Sequence, residues 1–313
     1  MEIIPYSPDL APTWNNAVEA ARNATFQHLR GYMDYHADRF ADCSVLAADT
    51  KGRIIAVLPA HSQSDTVCSH RGLSFGGWLM SPKADMPAMM EVWADAAGFF
   101  RNRGFSQLYY RPAPHIFHRY PAEEDLYALF RAGATLDASL VSATVDLSAP
   151  LPFDSNARRA VRKAQATGIT VAQSDDLAAY WHILTACLAE RHNVRPVHTL
   201  DEIRLLQSRF PDNIVLHTAC DSSGSPVAGV LMYLSPGVAH CQYIASTPHG
   251  RDTGALPLLF DHLQCFYAAK GFRWFDYGTS CEDAGRYLNP GLIRQKCGFG
   301  ARAIVYNAFS LKI

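Results

Sequence analysis

The feature that most constrains this chain is an order of elements that occurs twice. Ser44, Gly52, His70, Pro87 and Gly104 have counterparts in Ile214, Gly224, His240, Pro257 and Gly271, at offsets of 170, 172, 170, 170 and 167 residues. Each set marks the same succession of strand, tight turn, strand, helix opened near a proline, and a further strand begun at Gly-Phe. So small a drift along a whole unit implies two copies of one α/β unit. The predicted fold class is therefore α/β (α+β), with two tandem domains, each a mixed central sheet flanked by helices. Pro150 and Pro152, beside small residues, stop regular structure and place the join there, giving domains at 1–149 and 150–313. A chain of 313 residues that is 49% hydrophobic can bury two such cores.

The second copy holds the stretch richest in chemistry, residues 239–270. Residues 240–245 read as a half-buried strand, and Pro248 and Gly250 break the pattern over 247–253. From Gly254 the apolar residues Leu256, Leu259, Phe260, Leu263, Phe266 and Tyr267 recur at the spacing of one helical face. A strand, a glycine-containing turn and a helix start thus follow in order. The unpaired N–H groups of such a start, with the helix dipole, suit a phosphate or pyrophosphate.

Elsewhere the pattern predicts helices over 12–30, 86–103, 123–132, 155–164, 176–190 and 200–210. Strands are predicted over 44–60 around a hairpin turn at Asp49 to Gly52, over 67–79, 105–110 and 141–147, and from Ile214. The expected apolar face of the second of these helices is Met86, Met90, Trp93, Ala97 and Phe100. Thr199 with Glu202 fits a capping box, and Asn289-Pro290 fits an N-cap followed by the first helical position. No apolar run reaches the roughly 18 residues that span a bilayer, and the N-terminus lacks a secretory pattern, so a cytoplasmic protein is expected. Eight cysteines without CxxC spacing read as buried, reduced thiols. A net charge of −1 gives no global attraction for nucleic acid. His115 and His118 lack partners at metal-ligand spacing, so no metal is expected.

Three motifs in order carry a resemblance. Arg158, Arg159, Arg162, Lys163 and Ala164 followed by Gly168 look like an RRxxRKAxxxG helix, residues 275–278 (Phe-Asp-Tyr-Gly) like an FDFG strand end, and Lys296 with Phe299 and Gly300 like a KxxFG element. Together they resemble the GNAT superfamily of acyltransferases, and within it the double-domain group that includes the FemAB-type aminoacyl transferases. Tyr35, His36, Asp38, Arg39 and Phe40 also look like the YHxDRF stretch of GNAT-like proteins associated with polysaccharide biosynthesis. The resemblance implies two GNAT-like domains and an N-acyltransferase that moves an acyl group from acyl-CoA to an amine of a sugar or other small metabolite. A GNAT pyrophosphate loop reads Q/R-x-x-G-x-G/A, and here Arg251 and Gly254 occupy the first two fixed positions while Leu256 stands in the last. FemAB-type enzymes also depart from that loop and take the acyl group from aminoacyl-tRNA, which is the alternative donor. A non-catalytic binding protein of the same fold is the third reading.

Transfer to an amine needs a proton acceptor, an oxyanion donor and an acid for the leaving group. In the implied architecture the strand before the phosphate loop splays from its neighbour, and its backbone holds the acyl carbonyl; residues 240–245 are that strand. Gly250, Arg251, Gly254 and Ala255 are the expected cofactor-binding residues. Asp276, ending an apolar strand, is the candidate proton acceptor, against capping of the following turn, and Lys296 the oxyanion donor, against a solvated lysine. Tyr243 is the candidate acid, with His36 and His198 as further catalytic candidates. Gln242, expected on the face opposite Tyr243, and Arg39 are acceptor-binding candidates. Arg158, Arg159 and Arg162 form basic stripes at i,i+4 spacing suited to the phosphates of a nucleotide-linked sugar or of tRNA, against a solvated basic face.

Overall fold

The computed structural model describes residues 1–192 and 194–313, with residues 191 and 192 described by backbone alone. They form two compact units, one of residues 1–140, 284–286 and 305–313, the other of residues 141–283 and 287–304.

The first unit begins with β1 (Glu2–Pro5), α1 (Ala11–Ala20), α2 (Arg30–Met33) and β2 (Ala41–Asp42). It continues through β3 (Val45–Ala48), β4 (Ile54–Leu58), β5 (His61–Gln63), β6 (Thr66–Cys68), β7 (Leu79–Met80), α3 (Met86–Arg101), β8 (Gln107–Tyr110), α4 (Glu124–Arg131) and the start of β9 (Thr135–Asp146). The hairpin between β3 and β4 forms as expected: Asp49 Oδ1 accepts from the Lys51 and Arg53 amides, both at 2.9 Å, and Gly52 takes φ of +74°. One sheet runs β1-β3-β4-β7 and is antiparallel throughout; β2, β5, β6 and β8 form a second group in which β6 and β8 are parallel. Asp85 caps α3 through the Ala88 amide. Its buried stripe is Met89, Val92, Trp93, Ala96 and Phe100, so the face is rotated from the one expected. The helix predicted over 12–30 ends at Ala20. Beyond it the Asn23 side chain bridges Trp78 O and the Met80 amide, each at 2.9 Å, and the Arg22 guanidinium reaches Ala84 O at 2.7 Å. These long-range bonds hold the chain away from a helical path.

The second unit takes up the end of β9, then α5 (Ser155–Ala166), β10 (Thr170–Ser174), α6 (Leu177–His192), α7 (Leu200–Arg209), β11 (Ile214–Cys220), β12 (Pro226–Ser235) and β13 (Val238–Ser246). After these come α8 (Pro248–Thr253), α9 (Ala255–Ala269), β14 (Trp274–Thr279), the small hairpin of β15 (Cys281–Glu282) and β16 (Tyr287–Leu288), α10 (Pro290–Gly298) and the start of β17 (Arg302–Lys312). Strands β10 to β13 form an antiparallel ladder; β13 then pairs in parallel with β14, and β14 antiparallel with β9. Among the described residues of this unit the sheet carries one parallel pair, joined by α9, as β6 and β8 of the first unit are joined through α3. Leu259, Leu263 and Tyr267 of α9 are wholly buried against this sheet with Phe275. Burying each such side chain contributes about 1.5–3 kcal/mol. Both reciprocal bonds of the Thr199–Glu202 capping box form, and Asn289 caps α10 with Pro290 first in the helix. The turn expected over 247–253 is instead the helix α8.

All eight cysteines are free; Cys68 and Cys241 are buried, whereas Cys265 is exposed. Among the described residues no helix is long and apolar enough to cross a membrane.

Candidate active site

In the second unit β13 and β14 run side by side for three residues and then part. The last pair is His240 with Asp276, and among the described residues no pairing joins the two strands beyond it although β13 continues to Ser246. Two irregularities accompany this. Against β12 the register of β13 slips between Tyr243 and Cys241, leaving Gln242 as the extra residue of a bulge. Against β9 the register of β14 slips between Asp276 and Thr279, where Gly278 takes φ of +75°.

Asp276 lies at this fork with no exposed surface. Its carboxylate accepts from Ser142 Oγ at 2.6 Å, Thr144 Oγ1 at 2.7 Å and His240 Nδ1 at 2.7 Å. Burial is the largest influence and acts to raise its pKa; the hydrogen bond and charge of His240 with the two hydroxyls outweigh it and bring the group to about 2. A group so held is a fixed anion, oriented towards His240. Lys296, on α10, is also buried, contrary to the picture of a solvated lysine. Its ammonium donates to Gly278 O at 2.9 Å and Thr279 O at 2.7 Å, clasping the end of β14. Burial lowers its pKa to about 8, against the opposing influence of Asp276.

Farther along β13 the Tyr243 hydroxyl meets His198 Nδ1 at 2.7 Å, and Trp181 packs edge-on against the Tyr243 ring. Burial raises the Tyr243 pKa, opposed by the His198 backbone and the Gln242 side chain. Gln242 itself is the extra residue of the bulge, which interrupts the alternation of the strand at this point.

The four residues expected to bind a cofactor lie along α8 and at its junction with α9. The Gly250 amide is bound by Thr247 Oγ1 at 3.0 Å, the Arg251 amide by Thr247 O at 3.0 Å and the Gly254 amide by Arg251 O at 3.3 Å. Arg251 extends to Ser246 O and Glu190. A Cβ on Gly250 would lie 2.2 Å from Val227 O, and one on Gly254 2.6 Å from Ala160 O. Gly254, with φ of +83°, is thus where α5 crosses the start of α9, and Ala255 beside it is wholly buried. Lys163 seals the crossing through Asp252 O at 2.5 Å.

Arg158, Arg159 and Arg162 lie on the exposed face of α5, where Arg158 reaches Phe153 O and Arg159 reaches Asn156. His36 and Arg39 belong to the first unit. The His36 ring is buried, stacked on Tyr35 at 4.3 Å and set against His70 at 5.3 Å, with Nδ1 2.6 Å from Met33 O; burial lowers its pKa. Arg39 is exposed.

The residue that sequence reasoning passed over is His240, noted there only as a marker of the repeat. The signal was its place at the start of the strand that leads to the turn, matched by His70 in the first copy.

Residues 153–287 match the family profile of the acetyltransferase (GNAT) domain. No curated protein matches the sequence significantly. Among solved structures FemX superposes with a TM-score of 0.71 at 12% identity, covering 100% of this chain and 98% of FemX. L-PGS from Bacillus licheniformis superposes with a TM-score of 0.63 at 12% identity, covering 98% of this chain and 92% of that one. At such identities the likeness establishes the fold alone.

Proposed function

The chain being an acyltransferase of the FemAB-like tandem GNAT fold, with residues 153–287 as its GNAT domain, we propose that it forms an amide by moving an acyl group from aminoacyl-tRNA to the amine of a sugar or other small metabolite. The bonded amides of α8 and of its end at Gly254 carry the choice of donor. Where a GNAT loop offers free amides to the pyrophosphate of coenzyme A, the amides of Gly250, Arg251 and Gly254 are already bonded and α5 covers Gly254. The exposed arginines of α5 suit a polyphosphate chain, whose contacts supply affinity without requiring a pocket. A nucleotide-linked acceptor sugar would be drawn to the same charges.

In this reading the acyl ester lies along β13 where it leaves β14, so that backbone N–H groups freed from pairing polarise the carbonyl. Lys296 fixes the end of β14 and places its positive charge beside the fork. The amine attacks the carbonyl, the C–N bond forms, and the ester C–O bond breaks. Tyr243, kept protonated by burial, donates to the departing oxygen, with His198 holding its hydroxyl in place.

The test pairs binding with turnover. The unfolding midpoint should rise with tRNA charged with a mixture of labelled amino acids, and the label should pass to a panel of amino sugars. A midpoint that rises instead with acyl-CoA thioesters, with transfer from them, would return the donor to coenzyme A.

A further inference from the structure

We propose that His240, through Nε2, is the base that takes the proton of the attacking amine, with Asp276 as its positioning residue. This rests on the acyl-transfer reading but not on the choice of donor.

The placement of the two groups argues for it. Asp276 is fully buried, and Ser142, Thr144 and His240 converge on its carboxylate, so it cannot meet an amine directly. What it does is hold one edge of the imidazole: an ionised carboxylate 2.7 Å from Nδ1 requires that nitrogen to carry the hydrogen, which leaves Nε2 as the acceptor in the neutral ring. The depressed pKa of the carboxylate supports that arrangement. The His240 side chain keeps 16% of its surface exposed, and among the described residues no hydrogen bond engages Nε2. The pair is also the last rung before β13 and β14 separate, so the ring stands at the fork where an acyl carbonyl would enter. Gly278 lies beside the ring: a Cβ there would come into van der Waals contact with Cε1 of His240, at 3.5 Å. The other titratable groups packed around the pair are Cys241 beside it on β13, Tyr233 opposite it on β12 and Lys296 from α10.

The step balances. The amine lone pair forms the C–N bond while its proton passes to Nε2; the tetrahedral intermediate expels the donor's ester oxygen, or the sulfur of a thioester donor, which takes its proton from Tyr243. The imidazolium then releases its proton to solvent and Tyr243 regains one.

Two measurements test this. In the full chain labelled with ¹⁵N-histidine, long-range NMR correlations should show the His240 ring with hydrogen on Nδ1, the signals being assigned by their loss in His240→Gln. In a folded Asp276→Asn variant that tautomer should no longer be fixed. A parent ring with hydrogen on Nε2 alone, or an unaltered ring in the variant, overturns the pairing. In the transfer assay His240→Gln should lower kcat by about 10² to 10⁴, with the acceptor KM little changed. A second variant, His240→Asn, guards against a defect specific to Gln. Less than a tenfold loss in both overturns the role of base. If the parent proves to use acyl-CoA, the donor reading falls while this comparison runs unchanged on that donor.

Discussion

Lys296→Met tests whether the buried ammonium at the fork is what the structure makes it. Burial brings the folded-state pKa to about 8 from 10.5, so between those values the unfolded chain holds a proton that the native state has released. Stability of the parent must then rise with pH across that window, since it rises wherever the unfolded state binds more protons. At about 1.4 kcal/mol per pKa unit the gain is about 3 kcal/mol between pH 7 and pH 10.5. Methionine fills similar volume without a charge and has no such dependence. Urea unfolding of parent and variant across this range removes the shared titrations of tyrosine and cysteine in the difference. That difference should move in favour of the parent by about 3 kcal/mol as the pH rises. A difference constant to within about 1 kcal/mol would mean that the ammonium is solvated, and the anchoring of Gly278 and Thr279 would fall with it.

Gly254→Ala should cost about 2–4 kcal/mol, combining a left-handed backbone with a Cβ 2.6 Å from Ala160 O; an unchanged urea midpoint would show that α5 does not cover the turn. Asp276, with a pKa depressed to about 2 from 3.8, contributes stability that is present above pH 3.8 and lost as the pH falls through about 2. Asp276→Asn should abolish that acid limb, worth about 2 kcal/mol, in acid-unfolding curves. Asp125 of the first unit is the opposite case: burial raises it to about 7, so stability should fall as the pH rises from 3.8 to 7, and Asp125→Asn should remove the slope while keeping an acceptor for Tyr110. Arg158→Gln with Arg162→Gln should weaken charged tRNA and reduce the salt dependence of its binding by about one to two units of slope; equal slopes would leave α5 a solvated face.

Much of the architecture was legible because its causes are local. The Asp49 turn, the Thr199–Glu202 box, the Asn289-Pro290 start and the helix with Arg158 and Arg162 each follow from neighbours within a few residues, whose hydrogen bonds and periodicity need no distant partner. The repeat was legible for the same reason, as an order of local signals. What tertiary structure decided lies at longer range. The helix expected over 12–30 yields at Ala20 to bonds from Asn23 and Arg22 across the fold. The turn at 247–253 becomes α8, and Gly254 sits where two helices cross, because Ala160 approaches from 94 residues earlier in the chain. Sequence leaves Lys296 between an oxyanion donor and a solvated lysine, and only the fold shows that β14 draws it inside through two carbonyls. The pairing of His240 with Asp276 depends on strand register and on bulges at Gln242 and Gly278, and a slip of one residue reverses which face a side chain takes. Sequence pattern supplies the period of a strand but not its register against a partner 36 residues away, and at this fork the register decides that His240 meets Asp276.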